Sequence, residues 1–118
     1  MKSFTALFYR ASGGSSPVKE FIDKLSPDAQ RKLFEKIGWL EELGPRLTKP
    51  HAEKIGKYIY ELKVYRDDAI VRLFYFFFEQ DKIIFVNGFK KKTNKTPPRQ
   101  IRLAEQRRKD FLIKEGKG

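Results

Sequence analysis

Three ionisable residues lie in two neighbouring apolar runs of the sequence, at spacings that allow their side chains to meet. Glu61 and Lys63 alternate with apolar residues in the first run, and Arg72 interrupts the second. A lone charge inside an apolar strand is costly to bury, so the Arg72 side chain must reach solvent, an acid or a bound anion. An ion pair with Glu61 or Glu79 across the sheet would satisfy it, and so would a phosphate. The pattern leaves both alternatives open.

A cluster of lysines follows the last apolar run directly. Lysines at the end of a strand usually form only a solvated loop. They become a phosphate site when basic groups converge on them from a second element, as Lys57, Lys63 and Arg72 are placed to do. We therefore treat one set of basic residues as candidate contacts to a polyanion: Lys54, Lys57, Lys90, Lys92, Lys95 and Arg99.

The distribution of charge narrows the class of partner. The chain of 118 residues has a formal net charge of +11. The segment from Lys82 to Gly118 holds 12 Lys or Arg against 3 acids, a local balance of +9, which leaves +2 for residues 1–81. A basic segment this concentrated suits nucleic acid or an anionic membrane surface, and it is equally expected of a solvated surface that favours solubility.

Composition excludes several kinds of chemistry. Cysteine is absent, which excludes disulfides, zinc–cysteine sites and thiol nucleophiles. The single histidine, His51, excludes a His-rich metal site, and a Ser-His-Asp arrangement would have to use it. We expect no metal and no small-molecule cofactor. Apolar runs are shorter than the ~20 residues that span a bilayer, and the N-terminus lacks the apolar core of a signal peptide, so we expect a cytoplasmic protein with no membrane partner.

The apolar runs predict an antiparallel meander. Residues 58–65 alternate with the period of a half-buried strand, and 69–78 is so apolar that both of its faces must be covered. A third strand is predicted at 82–89. The connections, 66–68 and 79–81, are too short for parallel neighbours, which need a long crossover.

The sequence before the meander predicts a strand and a helical hairpin. Residues 3–10 alternate as a strand. Ser16-Pro17 and Ser26-Pro27 each combine a capping side chain with proline at the first helical position. The second helix is predicted to end at Gly44-Pro45, and a basic loop, 45–57, leads into the meander.

A C-terminal helix is predicted after the meander. Thr96 is placed to cap it, and Pro97-Pro98 opens it. Its thin apolar face comprises Ile101, Ala104, Phe111 and Leu112. The predicted order is β-α-α-β-β-β-α, an α+β fold in one domain, 1–118.

Three stretches together resemble the RelE/HigB toxin superfamily, in particular its phage-derived, HigB-like branch. They are "LEELGPRLTKPHAEKIGKYIYELKV", "AIVRLFYFF" and "IIFVNGFKKKTNKTP". The resemblance implies a RelE-like fold, with two helices against a small twisted antiparallel sheet. It also implies a type II toxin that cleaves mRNA on the ribosome without a metal, encoded beside a helix-turn-helix antitoxin that neutralises it.

The resemblance also implies roles for individual residues. Arg72 matches the strand arginine of the family, and Lys63 stands where arginine is more usual. Arg72 and Lys91 would stabilise charge on the scissile phosphate, while Lys63 and Lys90 would hold its neighbours. We therefore expect Arg72 on an exposed, concave sheet face, near Lys63 and Lys90 or Lys91.

The residues that would transfer protons are less clearly indicated than those that would bind phosphate. Glu61 is the candidate base, and His51 is a weaker candidate for the proton donor. Some members of the superfamily use a C-terminal tyrosine, but no tyrosine follows Tyr75 in this chain. Two other functions stay open: a ParE-like toxin that binds DNA gyrase, and a basic RNA-binding module without catalysis.

Overall fold

The computed structural model describes residues 2–66 and 68–117, which form three helices and five strands. The helices span Pro17–Asp23 (α1), Pro27–Leu43 (α2) and Pro98–Lys114 (α3). The strands span Thr5–Phe8 (β1), Ala52–Lys54 (β2), Tyr60–Arg66 (β3), Ala69–Phe78 (β4) and Lys82–Lys91 (β5). The α+β class, the helical hairpin and the C-terminal helix are confirmed.

The two helices of the hairpin begin where the capping signals predict. The Ser16 hydroxyl accepts a hydrogen bond from the Lys19 amide, and the Ser26 hydroxyl accepts one from the Ala29 amide. Each pair satisfies a backbone donor that the first helical turn leaves free. Helix α2 ends at Gly44, whose φ of 55° is readily adopted by glycine.

The strands form one mixed sheet in the order β1-β5-β4-β3-β2. The antiparallel meander of β3, β4 and β5 is confirmed, and β5 continues to Lys91. The expectation of an entirely antiparallel sheet is wrong, because β1 pairs parallel with β5, Thr5 opposite Lys82. The long segment between β1 and β5 allows either parallel or antiparallel pairing of these two strands. The short turns of the meander allow only antiparallel pairing.

The region expected to be a basic loop, 45–57, contains the short edge strand β2. Ala52 pairs with Leu62 and Lys54 with Tyr60, in antiparallel register. Three residues are too few for a period-two pattern, so the pairing depends on the neighbouring strand rather than on local apolar spacing. The turn predicted at 66–68 includes Asp67, which lies outside the described residues.

The two faces of the sheet bury separate apolar clusters. The α1–α2 face carries Leu62, Val64, Val71, Leu73, Tyr75, Ile83 and Phe85, packed against the helical hairpin. The α3 face carries Phe74, Phe76, Phe78, Ile84 and Val86, which pack with Ile59 against α3. Successive residues of β4 alternate between the two clusters, as side chains of a strand do. The prediction that both faces of 69–78 are covered is therefore confirmed.

Helix α3 is anchored on its face by polar and apolar contacts. The Tyr9 hydroxyl donates to the Asp110 carboxylate at 2.6 Å, and the Arg107 guanidinium donates to the Val86 carbonyl at 2.9 Å. Burial and the bond to Asp110 raise the pKa of Tyr9 to about 12. Ala104 is fully buried, and the remaining predicted apolar residues of this helix are partly buried. The helix is thus part of the packed structure.

Candidate functional site

Arg72 and Glu61 form a buried ion pair on the α3 face. The side chain of Arg72 is 0% exposed and that of Glu61 is 2% exposed, with 2.9 Å between Arg72 Nε and Glu61 Oε1. The expectation that Arg72 lies exposed is wrong. The alternative of a cross-strand ion pair with Glu61 is confirmed. In the interior an unpaired charge would be far more costly than a paired one, which explains this arrangement.

The loop between β5 and α3, residues 92–97, folds over this pair. The Arg72 Nη2 group donates to the Thr93 carbonyl at 2.5 Å, and the Thr96 hydroxyl donates to Glu61 Oε1 at 2.5 Å. The prediction that Thr96 caps α3 is wrong, because Pro97 occupies the N-cap and makes no side-chain capping bond. A buried carboxylate needs donors, and Glu61 takes the Thr96 hydroxyl for that purpose.

Two nitrogens of the Arg72 guanidinium make no hydrogen bond within residues 2–66 and 68–117. Nε forms the ion pair with Glu61 Oε1, whereas Nη1 is buried and contacts no acceptor in that part of the chain. A buried donor without an acceptor costs roughly 1–3 kcal/mol, so native structures contain few of them.

Lys63 lies between two carboxylates on the same face. Its ammonium group lies 3.7 Å from Glu61 Oε2 and 3.2 Å from Glu53 Oε1. Lys49 approaches the second oxygen of Glu53 at 3.5 Å. Burial raises the pKa of the Glu53 carboxyl, but the hydrogen bond and positive charge of Lys63, together with Lys49, hold it below its ordinary value. Arg72 thus begins a row of alternating charges that runs to the edge of the sheet.

Lys90 and Lys91 lie on opposite faces of β5. Lys91 pairs with Ile70 and lies with its Nζ 5.8 Å from the centre of the Phe89 ring, which places it on the face of Arg72. Lys90 pairs with Val71, a residue of the α1–α2 face. Lys90, which is expected to hold a neighbouring phosphate, therefore lies on the face away from Arg72, because adjacent strand residues point in opposite directions. Its role stays a prediction.

His51 contacts the row of charges through its main chain. Its carbonyl accepts a hydrogen bond from the Lys63 amide at 2.8 Å. Its ring packs edge-on against Trp39 of α2, with 5.2 Å between the ring centres. The described contact of the imidazole is therefore with the helical layer, and the role of His51 as proton donor stays a prediction.

The remaining basic candidates are solvent-exposed. They are Lys54, Lys57, Lys92, Lys95 and Arg99. Lys54 among them lies on the α1–α2 face, with its ammonium 6.0 Å from the centre of the Tyr60 ring. The Lys57 ammonium lies 5.4 Å from the centre of the Tyr58 ring, and the Arg108 guanidinium lies over the same ring at 3.7 Å. These contacts bring Lys57, and Arg108 of α3, to the same ring.

Sequence reasoning missed Glu53, Thr93 and Thr96 as parts of this site. Glu53 lies opposite Glu61 in the register of β2 and β3, so recognising the short strand would have revealed it. Thr93 acts through its carbonyl, which no residue type can signal. Within the described chain, no group of three or more His, Cys, Asp or Glu side chains is arranged to hold a metal, and no helix is long and apolar enough to cross a membrane.

A five-stranded mixed sheet with a helical hairpin and a C-terminal helix is compatible with a small RelE-like fold. The chain belongs to the family described as "Phage derived protein Gp49-like (DUF891)", whose model matches residues 20–109. The matched segment contains every residue of the charged row. A comparison with curated proteins found no match. Membership of this phage-derived family suggests a toxin-like module.

Proposed function

We propose that this protein is the toxin of a type II toxin–antitoxin system and cleaves mRNA on the ribosome without a metal. The observation that carries the proposal is the charged row on the α3 face, in which Lys63 lies between Glu53 and Glu61 beside the buried Arg72. Lys91 adds an exposed ammonium to the same face.

RNA cleavage makes modest demands on such a site. The ribose 2′-hydroxyl is the nucleophile, so the protein must align it, accept its proton and stabilise charge on the phosphate. Lys91 supplies positive charge where an RNA strand has access, and Lys63, whose side chain is 15% exposed, adds a second ammonium group beside Glu53. Arg72, which is fully buried, acts as a positioning residue by holding Glu61.

The proton acceptor is assigned to Glu53. Its side chain is 30% exposed, whereas Glu61 is 2% exposed, is already paired with Arg72 and accepts a hydrogen bond from the Thr96 hydroxyl. The Glu53 carboxylate is ionised at neutral pH, as a base must be, and Lys63 beside it holds its pKa below the ordinary value. Glu61 then holds Lys63 in place. In this proposal Glu61 is not the general base, which is the role that the sequence predicts for it.

The experiment maps mRNA ends by primer extension after induced expression. The wild type should produce new, internal 5′ ends, and Glu53→Gln should reduce them by about 10²-fold or more, because a positioned base contributes that much. The matched control is Asp23→Asn, which removes an exposed carboxylate that pairs with Lys19 on α1. Intact mRNA accompanied by DNA damage would indicate a gyrase poison, and absence of toxicity would indicate a passive RNA binder.

Binding to RNA should be strongly dependent on salt. Each phosphate of a single strand that is neutralised contributes about −0.7 to the slope of log K against log salt. The exposed lysines and Arg99 provide several such contacts. A binding constant that does not change between low and physiological salt would contradict this part of the proposal.

We also propose a helix-turn-helix antitoxin as the partner that holds the toxin inactive. It would cover the basic surface that includes Lys91, Arg99 and Arg102, all of which are exposed. Charge reversal at Arg99 and Arg102 should weaken the complex more at low salt than at high salt. If co-purification is unaffected at either salt, the antitoxin binds another surface, such as the helical hairpin.

A further inference from the structure

An exposed tyrosine lies on the α3 face beyond the end of the charged row. Tyr65 pairs with Ile70 across β3 and β4, and Ile70 pairs with Lys91 across β4 and β5. The three residues therefore form one line across the sheet. Lys63, two positions before Tyr65 on the same strand, points to the same side. Tyr65 thus lies on the same sheet face as both ammonium groups of the proposed cleavage site.

The ring of Tyr65 is available for stacking. It is 49% exposed, and in the described part of the chain no second ring and no cation lies over it. Tyr58 provides a contrast, since it is 45% exposed but the Arg108 guanidinium lies on its ring at 3.7 Å. An aromatic ring held on a strand with a free face is the platform that single-stranded nucleic acids use for base stacking.

Tyr65 also lines a cleft of about 410 Å³, whose other lining residues are Arg66, Asp68, Ala69, Ile70, Lys92 and Asn94. The Lys92 ammonium group can neutralise a phosphate. The Asn94 amide is both a hydrogen-bond donor and an acceptor, as is required to read the edge of a base. The cleft therefore combines a ring that can stack on a base, a cation that can bind a phosphate and an amide that can contact the edge of a base.

We infer that Tyr65, Lys92 and Asn94 form a subsite for one nucleotide of single-stranded RNA, adjacent to the phosphate held by Lys63 and Lys91. The inference rests on the proposed function and deepens it. Tyr65 stacks on the base, Lys92 binds its phosphate and Asn94 contacts the base edge. The subsite would position the neighbouring phosphodiester bond and contribute to the choice of cleavage position.

The test measures binding of a fluorescently labelled, unstructured RNA oligonucleotide by anisotropy at low salt. Tyr65→Ala should weaken binding by about tenfold, the effect expected on losing one base–aromatic stack. Tyr65→Phe keeps the ring and should bind within about twofold of the wild type. Phe34→Ala is the matched control, because Phe34 is an aromatic residue of α2 that is 51% exposed.

Base reading is tested with homopolymeric RNAs of the four bases. The wild type should prefer one of them, and Asn94→Ala should reduce that preference while Tyr65→Ala weakens binding to all. Equal binding by the wild type and Tyr65→Ala would overturn the subsite and leave the proposed function intact. Binding that depends on Tyr65 without mRNA cleavage in cells would support the subsite and overturn the nuclease.

Discussion

The two faces of this sheet are used differently. The α1–α2 face is apolar where the helical hairpin covers it, and Lys90 lies on its exposed part. The α3 face is apolar only under α3, and its other half carries Glu61, Lys63 and Arg72 beneath a loop. A fold that needed only stability would fill both faces with apolar side chains, because a buried ion pair rarely stabilises more than its apolar replacement. The difference indicates that the second face is shaped by function.

The largest effect should come from breaking the buried pair. Arg72→Ala leaves Glu61 ionised in the interior, so we expect a loss of about 3–5 kcal/mol in the free energy of unfolding, measured by urea denaturation. Arg31→Ala is the control, because Arg31 forms an exposed ion pair with Asp28. Its substitution should lower the free energy of unfolding by at most about 1 kcal/mol.

An apolar double substitution sharpens this result. Arg72→Met combined with Glu61→Leu removes both charges and should recover most of the lost stability without restoring RNA cleavage. A loss below about 1 kcal/mol for Arg72→Ala would show that the guanidinium contributes little to the packed sheet.

The α1–α2 face should be sensitive to volume instead of charge. A Cβ at Gly88 would lie 2.3 Å from the Phe21 ring of α1, so Gly88→Ala should cost about 2 kcal/mol by overpacking. Gly38→Ala is the matched change, since a Cβ there meets nothing within 4 Å in the interior of α2. It should stabilise the protein by about 1 kcal/mol through helix propensity. Equal effects of the two substitutions would contradict the packing described for this face.

The Thr96 hydroxyl should contribute to stability by holding the loop over the charged pair. Thr96→Val removes the donor to Glu61 and should cost about 1.5 kcal/mol. Thr93→Val is the control, because Thr93 contacts Arg72 through its carbonyl and its hydroxyl accepts only an exposed bond from the Lys95 amide. This substitution should change stability by less than about 0.5 kcal/mol. If both variants unfold at the same urea concentration as the wild type, the loop is not held by this bond.

The smallest expected change in stability comes from the Tyr9–Asp110 hydrogen bond that anchors α3, and it occurs at high pH. The pKa of Tyr9 is raised to about 12, mainly by burial, so the bond to Asp110 stabilises the fold fully below the ordinary tyrosine pKa of about 10. That contribution is lost as pH rises from about 10 to about 12. The difference in stability between the wild type and Tyr9→Phe should therefore shrink over this range. A constant difference would mean that the hydroxyl is not protonated preferentially in the folded state.

Prediction from sequence succeeded where a local pattern carried the information. Local patterns predict the N-caps at Ser16 and Ser26 and the period-two alternation around Glu61, and the structure confirms them. Each of these patterns depends only on residues that are close in the chain. The burial of Arg72 depends on a loop more than 20 residues away, whose carbonyl at Thr93 has no signature.

The candidate site was predicted in part for the same reason. Glu61, Lys63 and Arg72 were brought together correctly because paired strands fix their register. Lys90 and Lys91 were grouped by adjacency, although strand alternation separates them. Glu53 was absent from the prediction because its strand is only three residues long.

Adjacent lysines on opposite faces offer the most direct test of the central claim, that RNA is cleaved on the α3 face. Lys91→Gln and Lys90→Gln remove the same charge from consecutive exposed positions, so their effects on folding and net charge should match. We predict that Lys91→Gln reduces the mRNA ends mapped after induced expression by roughly tenfold or more, while Lys90→Gln leaves them unchanged. Equal loss in both variants, or a loss confined to Lys90→Gln, would contradict the account.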